Sequence, residues 1–370
     1  MNKNTIKLGI LTFHCADNYG AVLQAYALQN KLAELGTECE VIDYQCPYIV
    51  MGYRIFKKKV FQTPKSILRF FLNFIYLLMR KWKFVRFRKK YLHLSSRISD
   101  TKSLEQVAKK YDIIIAGSDQ IWNEQKSKSI KAYMLDWVNQ PEKKSAYAAS
   151  FGYDKIPEEF LPNLYEYAKL LYQFSHISVR EEQAANIVRN LIKMKPPVVL
   201  DPIMLFSKSD WINIFKTNIN HPEEYILLYT FEPGNTLRFA EHLKKLTGLP
   251  IIYINSNLKR RINAKYIRSC SPQEFVSLLL EARYVITNSF HGTAFSVIFN
   301  KDFFVDLLPN NNSRLEHILN MFGLSDRIIK DEYNENVMMP IDYHVVNQKI
   351  EELRAESLKY LKLIIGKSDE

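Results

Sequence analysis

Short apolar runs recur down the chain, spaced so that a helix fits between each pair. "IKLGILTF" (6–13), "CEVIDY" (39–44), "DIIIAG" (112–117), "KSAYAAS" (144–150), "FSHISVR" (174–180) and "PPVVLDP" (196–202) have the length and residue types of buried strands. A second series follows in "YILLYTF" (225–231), "PIIYIN" (250–255), "RYVITNS" (283–289) and "DFFVDLL" (302–308). Between the first two runs, Val22, Ala25, Leu28, Leu32 and Leu35 fall on one helical stripe, which Gly36 ends. That completes a βαβ unit. Strands alternating with helices in both halves predict an α/β protein of two Rossmann-like doubly wound domains. The expected boundaries are 1–205 for the first domain and 206–335 for the second. A last helix within 340–370 is expected to pack back on the first domain.

The polar residues gather where the apolar runs stop. "HCADNYG" (14–20), "GSDQIWN" (117–123), "SVREE" (178–182) and "NSFHGTAF" (288–295) each follow a predicted strand. In open α/β sheets that carboxyl end is where ligands bind. In "SPQEFVSLLLEARYVITNSFHGTAF", Ser271 and Glu274 form a capping box with Pro272 at the first helical position. A further helix is expected to start near Thr293, its amides favouring an anion beside Ser289, His291 and Gly292. A bound dianion would favour a charged His291, which suits a proton donor or an anion clamp. Arg180 offers bidentate bonds to carboxylate or phosphate. Its structural alternative is an ion pair with Glu181 or Glu182, disfavoured because adjacent side chains point apart. Asp119 suits either a general base or a helix N-cap. Asn18 and Gly20 suit a tight turn.

Composition changes this picture little, but charge changes it in one place. Apolar residues make up 47% of the 370 and charged residues 24%, the balance of a globular protein. The four cysteines have no paired metal-site spacing, and reduced thiols in a cytoplasmic protein are expected. The net charge is +12, yet fourteen Lys and Arg lie between Tyr44 and Ser99, with no Asp or Glu among them. Without those fourteen the rest of the chain carries −2. The basicity therefore belongs to one segment, 54–94, read as an amphipathic insertion in the first domain. Its longest uncharged run, "FFLNFIYLLM" (70–79), is too short to span a bilayer. Its cations and aromatics suit an anionic membrane surface, with Phe70, Phe71, Phe74 and Trp82 buried in the interface. A basic helical pair packed on the first domain is the plainer alternative. Charge confined to one apolar-rich segment argues against nucleic acid as a partner.

Taken together, "DNYGAVLQAYAL", "IIAGSDQIWN", "SVREE", "VVLDP", "TNSFHGTAFSVIF" and "SRLEHILNMFGL" resemble the polysaccharide pyruvyl transferase family, in the family's order over about residues 6–330. The resemblance implies a glycosyltransferase-B-like pair of domains, with phosphoenolpyruvate as donor and a pyruvate ketal on a surface-polysaccharide sugar as product. It implies no further cofactor, and the sequence offers no Asp-x-Asp motif for a metal. The family's arginine and histidine fall on Arg180 and His291. Some relatives carry a second arginine two positions before the histidine, where this chain has Ser289, so Arg314 or a lysine must supply that charge. On this reading Arg180, His291, Ser289, Gly292 and Arg314 bind the donor, and His291 is the acid. Asp119 or Asp17 is the base, and Asn18, Gly20 and Asn123 meet the acceptor. The acceptor is expected to be linked to a polyprenyl diphosphate, with the enzyme peripheral on the inner face of the cell membrane. Two alternatives stand beside it: a nucleotide-sugar glycosyltransferase of the same architecture, and a non-catalytic membrane-surface protein.

Overall fold

The computed structural model describes residues 5–56, 63–215, 219–232, 234–256, 260–308, 312–330 and 339–367. Lys57, Lys58 and Lys59 of the basic segment lie outside the described residues. The chain forms two compact units, and neither is one continuous stretch. The first takes 1–53, 88–205 and 350–370; the second takes 54–87 and 206–349.

The first unit is built on five strands: β1 (Lys7–Leu11), β2 (Glu38–Val41), β3 (Ile113–Ala116), β4 (Lys144–Ala149) and β5 (His176–Val179). They pair in the order β2-β1-β3-β4-β5, all parallel, with Leu8 set between Cys39 and Ile113. The helix Tyr19–Glu34 lays the buried Val22, Ala25, Leu28 and Leu32 on the core and stops before Gly36, whose φ is +78°. The end of the chain completes this unit. In the helix Tyr343–Ile364, Ser357 accepts from the Leu200 amide at 3.0 Å and Arg354 donates to the Met204 carbonyl at 2.9 Å. Leu361, Ile364 and Ile365 are buried there.

The expected strand at 196–202 is not part of the ladder. Val198 makes a single bridge to Val179, and Pro202–Leu205 is a turn of 3₁₀ helix. Pro196 and Pro197 have no N–H to give a neighbouring strand, which is the physical reason.

The second unit repeats the plan with β6 (Ile226–Tyr229), β7 (Ile251–Ile254), β8 (Lys265–Ile267), β9 (Tyr284–Thr287) and β10 (Asp302–Val305). Their order is β10-β9-β6-β7-β8, again parallel. The capping box forms: Glu274 N–H donates to Ser271 Oγ at 3.1 Å, and Ser271 N–H donates to the Glu274 carboxylate at 2.6 Å. The same carboxylate holds Lys83 at 2.7 Å.

Lys83 belongs to a single 28-residue helix, Pro64–Tyr91, where sequence suggested an insertion in the first domain. Its residues up to Phe87 instead belong to the second unit. The cause is its apolar inner face. Phe70 packs on Phe56 and Phe74 at 5.4 and 5.3 Å between ring centres, and Phe87 packs on Phe215 at 5.7 Å. Asn73 adds a bond to the Ser256 carbonyl at 3.0 Å.

Candidate functional site

In each sheet the strand order reverses once. In the first unit the reversal lies between β1 and β3, in the second between β6 and β9. Such switch points open a crevice at the carboxyl ends of the two strands. Three of the four polar stretches found in the sequence lie there, after β1, β3 and β9, while "SVREE" follows the edge strand β5.

At the first switch point a buried polar network ties the loops after β1, β3, β4 and β5 together. Thr12 Oγ1 donates to the Ser118 carbonyl at 2.9 Å and accepts from Gln24 Nε2 at 2.8 Å. Ser118 Oγ lies 3.1 Å from Asp201 Oδ2, and Asp201 holds Arg180 Nη1 at 2.7 Å. Arg180 also lies 3.7 Å from both Asp119 and Glu181. Glu181 in turn accepts from Ser150 Oγ at 2.7 Å. The arginine is 2% exposed. Burial works against its charge, but Asp201, Asp119 and Glu181 outweigh that and raise its pKa above the ordinary value. The Glu181 contact, disfavoured on sequence, is thus present. The sequence also left Asp201 without a role, although one acid inside the apolar run "VVLDP" was the available signal.

Asp119 stands at φ +80°, a left-handed conformation uncommon outside glycine. It is not a helix N-cap. Its carboxylate accepts from the Gln120 amide at 2.8 Å, and its side chain keeps 15% exposure. Gly117, two residues before it, has no room for a side chain: a Cβ there would sit 2.1 Å from the Tyr147 carbonyl oxygen.

The remaining first-unit candidates are held by local structure. Asp17 is buried and bound by Arg88 at 2.9 Å, and the same guanidinium reaches the Ala16 carbonyl at 3.3 Å. Asn18 caps the helix Tyr19–Glu34 by accepting from the Ala21 amide at 3.2 Å, and Gly20 lies inside its first turn. Asn123 caps the short helix Glu124–Ser127 and accepts from Tyr153 Oη at 2.8 Å. His14 belongs to the same stretch as Asp17 and is structural. It is buried, with Nε2 2.9 Å from Asp43 and Nδ1 3.2 Å from the Thr12 carbonyl. Burial would raise the Asp43 carboxyl, but bonds from His14 and Gln45 hold it below the usual range.

At the second switch point the residues after β9 cross to those after β6. Asn288 Oδ1 accepts from the Phe231 amide at 2.9 Å, and its Nδ2 donates to the Glu232 carbonyl at 2.7 Å. Nothing in the sequence marks this clasp except the place of Asn288 at the head of "NSFHGTAF". The next helix runs Phe290–Ile298, three residues earlier than expected. Ser289 is its N-cap, accepting from the Gly292 amide at 3.4 Å, so this amide is engaged within the turn. His291 consequently sits in the first helical turn, 8% exposed, edge-on to Phe290 at 5.3 Å. Gly292 has no room for a side chain, since a Cβ would meet Thr287 Oγ1 at 2.5 Å. That hydroxyl is pinned by its own 2.6 Å bond to the Tyr229 carbonyl. Arg314 lies in the first turn of the helix Ser313–Met321, which packs against Phe290–Ile298.

The structure thus gathers Arg180, Asp119, Glu181 and Asp201 in one cluster and Ser289, His291 and Gly292 in another. Asp17, Asn18 and Gly20 share the loop and helix start after β1, and Asn123 belongs to the loop after β3.

Comparison with known proteins agrees with this architecture. A family model described as polysaccharide pyruvyl transferase matches residues 18–305. Among solved structures, S. aureus MnaA in complex with UDP matches with a TM-score of 0.53 at 12% identity, covering 99% of this chain and 98% of that one. A Listeria monocytogenes protein described as a UDP-N-acetylglucosamine 2-epimerase matches with a TM-score of 0.52 at 10% identity, covering 99% of both chains. At such identities the likeness shows the fold, two Rossmann-like domains of the glycosyltransferase-B-like class. No curated protein matches the chain.

Proposed function

The chain belongs to the polysaccharide pyruvyl transferase family, transferases acting on polysaccharide, and from that premise we propose that it uses phosphoenolpyruvate to form a pyruvate ketal on a sugar of a lipid-linked polysaccharide precursor. The observation that carries this reading is the turn Asn288–Gly292, which sets a histidine in the first turn of a helix at a topological switch point.

In the proposed reaction His291 protonates the methylene carbon of the donor, leaving an oxocarbenium-like centre at the adjacent carbon. A sugar hydroxyl adds there and gives up its proton to Asp119. Phosphate departs with the electron pair of its bond to that carbon. A second hydroxyl then adds to the same carbon, returns a proton to His291, which the first step left deprotonated, and closes the ketal. The positive end of the helix Phe290–Ile298, with Arg314 in the first turn of the helix packed against it, supports binding of the donor's anionic groups. Asp119 is preferred to Asp17 as the base because Arg88 engages the Asp17 carboxylate. Arg180 is assigned a positioning role. An anion approaching it meets Asp201, Asp119 and Glu181, while the guanidinium fixes Asp119.

The test is phosphate release from phosphoenolpyruvate across a panel of lipid-linked saccharides, with nucleotide sugars as competing donors. His291→Gln is expected to lower turnover about a hundredfold, the scale of general acid catalysis. Activity is expected to persist in excess chelator, since arginine and helix amides suffice to hold the donor. Transfer from a nucleotide sugar but not from phosphoenolpyruvate would overturn the proposal in favour of a glycosyltransferase.

A further inference from the structure

We infer that the outward face of the helix Pro64–Tyr91 is a docking surface for an anionic lipid bilayer. Leu68, Phe71, Leu72, Ile75, Met79 and Trp82 recur at the spacing of one helix face and remain 42–64% exposed. At 1.5 Å per residue the stripe is about 21 Å long. Contiguous exposed apolar surface of this kind marks an interaction site, whereas singly scattered residues do not. The fold has already taken the opposite face, through Phe70, Asn73, Phe84 and Phe87. Phe70 and Phe74, grouped with the membrane face on sequence, in fact pack inward with Phe56. The helix is therefore apolar on two faces, and intramolecular packing uses one.

Charge decides what the other face meets. Beyond Trp82 the same face carries Arg86, Lys89 and Lys90, all exposed, and Lys65 is exposed at its start. The Arg86 guanidinium lies 5.2 Å from the Trp82 ring centre, setting a cation beside the residue type most suited to a membrane interface. No Asp or Glu occurs between Tyr44 and Ser99 to offset these cations. The complement is a negatively charged surface with an apolar layer beneath it. A second copy would bring this acid-free face against its own kind. A nucleic acid has no apolar layer for Leu68 or Phe71. Among the described residues no helix is long and apolar enough to cross a membrane. The geometry is that of a helix lying in the interface, its apolar stripe below the headgroups and its basic end among them.

Trp82 gives a direct probe, because Trp122, Trp137 and Trp211 are buried. The experiment mixes the whole chain with phosphatidylcholine vesicles, with and without phosphatidylglycerol, in the absence of substrates. Its outcome is therefore separate from that of the proposed reaction. The expected result is cosedimentation only with the anionic vesicles, a blue shift of tryptophan emission, and quenching by brominated lipid. Phe71→Ser with Ile75→Ser, and Arg86→Glu with Lys89→Glu and Lys90→Glu, should each weaken binding about tenfold or more. High salt should weaken it as well. The inference is overturned if the wild type stays in the supernatant, or if both sets of variants sediment like it. It is equally overturned if light scattering shows a dimer that the Phe71 and Ile75 substitutions dissociate.

Discussion

Removing the Arg180 guanidinium would leave Asp119, Glu181 and Asp201 gathered around a cavity with no cation. Breaking a buried ion cluster from one side costs about 3–5 kcal/mol, because the surviving charges stay desolvated. Arg180→Ala should therefore lower the urea midpoint and Tm strongly. Arg180→Lys keeps the charge but not the fork of donors. It should fold, lower kcat, and leave the KM for phosphoenolpyruvate nearly unchanged. A large rise in that KM would instead make Arg180 a direct donor ligand. Arg180 and His291 were legible as candidates because each sits in a short polar stretch after an apolar run. The partners of Arg180 were not. Asp201 is 21 residues away, and only the fold brings it to 2.7 Å.

The turn from β9 into the helix Phe290–Ile298 works as one element. Thr287 Oγ1 donates to Tyr229, accepts from the Ser289 amide at 3.1 Å, and fills the space a side chain at Gly292 would need. Gly292→Ala should cost about 1–3 kcal/mol by overpacking and shift the neighbouring His291. Adding Thr287→Ala removes the closest clash, so denaturant unfolding of the double variant should show a smaller loss than the two single losses summed. Simple additivity would mean the methyl group is accommodated elsewhere. Elements of this kind were visible in the sequence wherever an apolar run was long enough. β8 was not, since Lys265–Ile267 is three residues with a charged first position. The helix start was misplaced because Phe290 and Gly292 carry little helix signal, whereas the deciding bond, Gly292 N–H to Ser289 Oγ, is local geometry.

For the molecule as a whole, pH should act through a few displaced groups. Burial, with Lys208 and Arg283 nearby, pushes the Lys301 ammonium down to about 8. An unfolded lysine titrates near 10.4, so between about 8 and 10 the unfolded chain holds a proton that the fold has released. Lys301 alone would raise stability with pH across that window, but burial also raises the Cys15 and Cys39 thiols, which the unfolded chain deprotonates from about 8.5, and these two groups turn the slope downward. Higher still the fall continues, because burial raises Tyr147 and Tyr225 and the unfolded chain loses those protons first. On the acid side, the contribution of Asp43 is present above about 4 and lost as pH falls below the lowered value. Lys301→Met should raise the urea midpoint at pH 7 and steepen the fall from about 8 to 10. An unchanged slope would remove Lys301 from this balance.

The division of the chain bears on how the protein is made. It passes between the two units after Tyr53, Phe87, Leu205 and Lys349, and the first unit is closed only by residues from Ile350 onward. A ribosome adds about 5–20 residues per second, so the opening sheet must wait on the order of tens of seconds for its final helix. In that interval the surfaces later covered by Leu361, Ile364 and Ile365 stand open. Cutting the chain at residue 205 would leave all five strands of the first sheet but would strip the cover that its last helix provides.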